Sequence, residues 1–175
     1  MRVNHAPNMN RLLFILCFAL LITSCSGEDN NDASIVGRWK LTAWEVADGF
    51  DMNNDGIVNT NILNEIECIS NETLIFETEG VVSSNKTFNP DIDIALQEGT
   101  TDKYVFKVRC DEEGVIGFAT TYSLKNTDTV IFNDNESAIV GNQLFRLIKE
   151  SIKIYNKDFT EVVATKDLTL VYTKQ

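Results

Sequence analysis

The sequence predicts an all-β protein, an antiparallel sheet carried around one core, and three observations lead there. The stretch Gly37 to Val46 (GRWKLTAWEV) alternates, with Trp39, Leu41 and Ala43 on one side and Arg38, Lys40 and Thr42 on the other. One apolar and one polar face marks an antiparallel strand, because parallel strands are usually covered on both faces. Counting this one, about eight or nine short strand-like segments follow one another with turn residues between most of them. Only Ile62 to about Ile69 reads as helix, and it has barely two turns.

The 175 residues suit one domain behind a targeting segment. Residues 1–24 read as a signal peptide: Arg2 and Arg11 are the only charges, and Leu12 to Thr23 (LLFILCFALLIT) is almost wholly apolar. That run is too short to cross a bilayer comfortably and matches a secretory core. Met9 opens a segment, MNRLLFILCFALLITSC, that is a complete signal by itself. Its end, Leu21-Ile22-Thr23-Ser24-Cys25, resembles the bacterial lipobox, in which the cysteine is acylated and becomes the mature N-terminus. Two or three acyl chains would hold the chain on a membrane, each buried methylene adding about 0.8 kcal/mol. Residues 25–34 follow as an acidic tether, SGEDNNDAS after Cys25, and the folded domain occupies 35–175. The tether is similar to the acidic segment behind the lipidated cysteine of surface-exposed Bacteroidetes lipoproteins.

Processing at Cys25 removes His5, the only histidine, and Cys17. No Ser-His or Cys-His pair can then form, and no imidazole is left as a ligand. Cys68 and Cys110 remain, and two cysteines in an exported domain read as one disulfide. The formal net charge of -11, from 26 acidic and 15 basic residues, argues against nucleic acid as a partner. A hydrolase with paired carboxylates would have Glu65, Asp111, Glu112 and Glu113 to draw on, but nothing in the sequence sets two of them across a cleft. No cofactor motif is present, and an enzyme is not expected.

After the first strand, Ala47 to about Thr60 is rich in Asp, Asn and Gly. Asp51, Asn53, Asp55, the carbonyl of Ile57 and Asn59 fall at the ligand positions of an EF-hand-like calcium loop, with Gly56 at its sharp turn. The twelfth position, normally an acid, is Ile62, and Glu65 comes three residues late. A loop of Asx-turns, whose side chains bond their own backbone, is the alternative and the expected reading. Thr60-Asn61 can cap the short helix at 62–69.

From Asn71 the chain meanders. Leu74 and Phe76 alternate with polar neighbours, and Glu79-Gly80 turns into Val81 to Phe88. A looser stretch runs from Pro90 to Thr101, with an apolar turn at Ile92, Ile94 and Leu96. Tyr104, Phe106, Val108 and Cys110 share one face of the next strand, and Asp111 to Gly114 turns it. Phe118, Thr120, Tyr122 and Leu124 carry another, and Val130 with Phe132 a shorter one. Gly141-Asn142 makes a tight turn between 138–140 and 143–147, Ile152 and Ile154 form another strand, and Leu168, Leu170 and Tyr172 close the chain. Trp44 points opposite Trp39 in this phasing, so it is either covered by the N-terminal segment or the helix, or exposed for function, with cover expected. The sequons at Asn71-Glu72-Thr73, Asn85-Lys86-Thr87 and Asn135-Glu136-Ser137 read as chance. Sandwich and barrel both satisfy this pattern.

The residues Gly37-Arg38-Trp39, the NDG-rich loop, the Leu74 to Gly80 strand and turn, and the closing LTLVYTKQ resemble the lipocalin-like domains of Bacteroidetes lipoproteins. That resemblance covers about Ser34 to Gln175 and implies an antiparallel up-and-down β-barrel of about eight strands, with Trp39 at its closed end. It implies a lipid-anchored lipoprotein of the outer membrane, with surface exposure as one of two orientations, and a monomeric domain that binds a small apolar ligand or a partner. Tyr104, Tyr122, Tyr172 and Phe118 are the ligand candidates, the phenols supplying the few polar contacts that orient an apolar molecule. The competing expectation is a solidly packed barrel serving as a structural or interaction module.

If the lipobox is used, Cys25→Ala leaves the chain unprocessed or released from the membrane and abolishes incorporation of labelled palmitate. Equal labelling in the mutant and the wild type would refute it.

Overall fold

The computed structural model describes residues 34–110 and 117–175. The signal peptide, Cys25, most of the tether and the turn at Asp111 to Gly114 lie outside the described residues. The strands are β1 (Gly37–Phe50), β2 (Asn59–Asn61), β3 (Thr73–Phe76), β4 (Val81–Ser84), β5 (Asp91–Leu96), β6 (Tyr104–Arg109), β7 (Phe118–Asn126), β8 (Thr129–Phe132), β9 (Asn135–Val140), β10 (Gln143–Tyr155) and β11 (Val162–Lys174). Eight of them close a ring in the order β11-β1-β3-β4-β7-β8-β9-β10, with β10 pairing back to β11. Every neighbouring pair in the ring is antiparallel. Among the ring strands, chain order is spatial order, so the topology is up-and-down, interrupted by β2 and by the β5–β6 hairpin.

Alternation fills the ring. Trp39, Leu74, Val82, Val130, Leu144 and Tyr172 are fully shielded from solvent, and Phe76 and Phe132 nearly so. Phe76 is the hub at the Trp39 end, edge-on to Trp39 at 6.5 Å, to Tyr122 at 5.1 Å and to Phe132 at 5.6 Å between ring centroids. The Trp39 indole N–H is buried and donates to the Ile35 carbonyl at 2.8 Å.

A β-bulge resets the phase of β1. Leu41 lies opposite Tyr172 and Ala43 opposite Val171, so β1 carries one extra residue there. The phase then flips, Trp44 lies opposite Leu170, and its ring faces the same interior as Trp39. Trp44 is therefore covered by a different route from the expected one: it is buried inside the ring instead of lying under an external segment.

Two other expectations are corrected. The helix at 62–69 is a single 3₁₀ turn, Ile62–Asn64, with the Asn61 side chain accepting from the Leu63 N–H. The residues after it are committed elsewhere, since Glu65 reaches back to the Met52 amide and Cys68 is bridged. Residues 91–96, expected as a loose apolar turn, form β5, which pairs with β6 and runs parallel to the far end of β10 through Ile154–Ile94. The β5–β6 hairpin thus lies outside the ring. Tyr104 and Phe106 pack edge-on against Phe50 at the far end of β1, at 5.3 and 5.7 Å. Leu124, which alternates with Phe118 and Tyr122 along β7, is half exposed beyond them.

Cys68 and Cys110 form the expected disulfide, tying the segment after the 3₁₀ turn to the end of β6 across 42 residues. On the chain-entropy account, a loop of that size contributes about 4 kcal/mol. Reduction, or the pair Cys68→Ser with Cys110→Ser, should lower the melting point by on the order of 10 °C, and thiol alkylation without reductant should label neither cysteine. An unchanged melting point would mean that the hairpin is held by its strand pairing alone.

Candidate functional site

The four aromatic ligand candidates do not share one place. Tyr104 is on the hairpin outside the ring. The Tyr122 hydroxyl donates to the Glu77 carbonyl at 2.8 Å, a contact that holds the β3–β4 turn. Phe118 is half-buried at the start of β7, opposite Ser84. Only Tyr172 points into a polar interior. Its hydroxyl donates to Glu72 Oε1 at 2.6 Å, and the pair is buried.

Glu72 is the centre of that interior. It stands just before β3, in phase with Leu74 and Phe76, so the alternation that buries those two buries a carboxylate as well. Its backbone carbonyl accepts from Leu41 N–H at 3.0 Å, and its Oε2 accepts from Phe88 N–H at 2.7 Å. Arg146 enters the ring from β10, in phase with Leu144, with its guanidinium 4.9 Å from the Phe132 ring centroid. Burial pushes the Glu72 carboxyl above its ordinary range, opposed by the Tyr172 and Phe88 hydrogen bonds and by the charge of Arg146. Burial, reinforced by the Glu72 charge, holds the Tyr172 phenol well above its usual range, with Arg146 opposing.

A row of unpaired donors crosses the same interior. Trp44 on β1 lies opposite Leu170 on β11, Leu170 opposite Arg146 on β10, and Arg146 opposite Ser137 on β9. Partners across a strand pair share a face, so all four point inward. Trp44 Nε1, Arg146 Nε and Ser137 Oγ are buried with no hydrogen-bond partner among the described residues, and Ser70 Oγ is a fourth such atom before β3. A buried polar group left without a partner typically costs about 1–3 kcal/mol. Phe88, on the β4–β5 connection, lies edge-on to Trp44 at 5.1 Å and closes this row from the loop side. Sequence reasoning passed over Glu72, Arg146 and Ser137. The signal for them was present: each is a polar residue standing in phase with an inward apolar set.

The Asp51 loop adopts the Asx-turn arrangement. Asp51 accepts from the amides of Asp55 and Gly56, both at 3.0 Å, Asn53 accepts from Asp55 at 3.0 Å, and Asp55 accepts from Ile57 at 2.7 Å. Asn59 donates to Glu65, whose other oxygen accepts from the Met52 amide. These side chains are taken up by the loop itself. Among the described residues no group of three or more His, Cys, Asp or Glu side chains is arranged to hold a metal ion. On the outer face of β1 and β3, Arg38, Asn71, Thr73, Ile75, Asn85 and Lys86 line a shallow cleft.

No known protein family, curated protein or solved structure matches the chain.

The raised Glu72 carboxyl sets a pH dependence. Between its ordinary value of 4.5 and the raised one, the folded chain keeps a proton that the unfolded chain has released, so this group favours folding as pH falls and disfavours it as pH rises. Glu72→Gln cannot titrate. Its melting point relative to wild type should therefore climb as pH rises through that window, and a pH-independent difference would contradict the assignment. Tyr172→Phe, which strips one donor from the buried carboxylate, should cost about 1.5–3 kcal/mol.

Proposed function

We propose that this chain is a lipid-anchored lipoprotein of the bacterial outer membrane whose lipocalin-like barrel binds a small, largely apolar ligand in its interior, without a catalytic step. The anchor rests on the apolar run from Leu12 to Thr23 and the cysteine in register behind it. The observation that carries the binding reading is the row of buried donors on Trp44, Arg146 and Ser137, without partners among the described residues, inside a ring lined mostly by apolar side chains. Binding sites of this kind are mostly apolar, with a few placed polar groups that orient the occupant. The absence of a catalytic step fits what the two buried carboxylates among the described residues do. Glu72 is engaged by Tyr172 and the Phe88 amide, and Glu65 by the Met52 and Asn53 amides. Asp111, Glu112 and Glu113 lie outside the described residues.

One observation favours the second reading, a solidly packed structural or interaction module. At the Trp39 end, Trp39, Phe76, Tyr122 and Phe132 interlock edge to face. An eight-stranded barrel is only just wide enough to be filled by side chains or to hold one small molecule.

The ring lies within residues 37–174 and its continuous core within 35–172, so the chain from Ser26 onward carries the whole described fold without the acylated cysteine. Titrating an apolar fluorescent dye into that chain should quench tryptophan emission saturably, at micromolar dye. No saturable change would overturn the binding reading and leave the packed module in its place.

A further inference from the structure

The chemistry of the interior row narrows the ligand class, an inference that rests on the binding reading above. The charges there are already matched: Glu72 supplies one negative group and Arg146 one positive group, and each acts on the other. The hydrogen bonds are not matched. Both Glu72 oxygens accept from described donors, Tyr172 O–H and Phe88 N–H. Trp44 Nε1, Arg146 Nε and Ser137 Oγ remain as unmet buried groups. Indole and guanidinium nitrogens can only donate, and a serine hydroxyl can donate as well as accept. The interior is therefore charge-balanced and rich in donors.

We propose that the barrel's ligand is a neutral apolar molecule whose polar end only accepts hydrogen bonds, a carbonyl-bearing group such as an ester, seated against Trp44, Arg146 and Ser137. Arg146 and Ser137 are cross-strand partners, with side chains about 5 Å apart at their bases, so one carbonyl oxygen can reach both. Trp44 lies two strands further along the same row and suits a second acceptor atom. A carboxylate would bring a second negative charge beside Glu72 in a buried site, where like charges repel strongly. A hydroxyl would add another donor where donors are already in surplus. A plain hydrocarbon would leave all three groups unmet. Phe88 is the ring that must yield for the ligand to reach Trp44 Nε1. It is half-buried and lies on a connection, residues 85–90, that belongs to no strand.

The test is competition against the apolar dye bound to the chain from Ser26 onward, at pH 7.5, using three probes of one chain length: dodecane, dodecanoate and methyl dodecanoate. Methyl dodecanoate should displace the dye at a concentration at least tenfold below either of the others. Trp44→Phe keeps an aromatic ring and removes its donor, and Ser137→Ala removes the hydroxyl with little loss of volume. Each should erase most of the ester's advantage over dodecane measured in the same variant, whereas a general weakening of the barrel would move both probes together and leave their ratio as it was. An ester no better than dodecane, or an advantage that survives both substitutions, would overturn the assignment while leaving the binding barrel intact. Dodecanoate as the best competitor would overturn it in favour of an anionic ligand. Absence of saturable dye binding in the wild type would remove the binding reading and this inference together.

Discussion

Closure is the constraint on which the rest of this structure depends. The last strand pairs with the first, Lys174 opposite Trp39 and Tyr172 opposite Leu41, while its other edge pairs with β10. Within a ring so closed every strand has a neighbour on both sides, which removes the template for sheet-to-sheet aggregation there. It also makes the interior small and shared by every strand. Side-chain phase then decides everything: a residue in phase goes into a space where water is scarce, and a shift by one position sends it out. The hydrophobic residues at 39, 41, 74, 76, 82, 130, 132, 144 and 172 obey that rule, and so do Glu72, Arg146 and Ser137.

Most strands of the ring are legible in the sequence because they alternate and are bounded by turn residues; the exception is β10, a single strand over Gln143–Tyr155 where 143–147 and the Ile152–Ile154 segment read as two. The Gly141-Asn142 turn falls where its residues place it, with Val140 opposite Gln143. The departures share a cause, which is that they depend on a partner remote in sequence. The bulge between Leu41 and Ala43 is a property of pairing with Tyr172 and Val171, and a phase taken from β1 alone puts Trp44 on the wrong face. Ile92, Ile94 and Leu96 become a strand because β10 runs past the ring and offers an edge at Ile154. Tyr104 and Phe106 alternate as convincingly as any ring strand, yet their apolar face meets Phe50 outside the ring. Periodicity reports that a face is covered, never by what.

The short helix fails for a different reason. Ile62 to Ile69 has helical spacing, but two turns are too few to persist without packing. Here the competing contacts are specific. Asn61 caps one turn, Glu65 leaves the helical path to bind the Met52 amide, and Cys68 is held to Cys110. The same commitment of Glu65 shapes the Asp51 loop, whose carboxylates serve their own backbone.

The arrangement of the core bears on why the polar row is there. At one end Trp39, Phe76 and Phe132 interlock, and at the other Phe50 meets Tyr104 and Phe106. Both ends bury aromatic surface, and such burial supplies the dominant favourable contribution to folding. Between them sit Glu72, Arg146, Ser137 and the Trp44 indole. Charged and polar groups taken into a core seldom stabilise more than well-packed apolar side chains of the same volume would, and unmatched donors make the comparison worse. Leucine or valine at 72, 137 and 146 would satisfy the phase of every strand concerned. Folding alone therefore does not explain this row, and the unmet groups at its centre are what a bound molecule would answer.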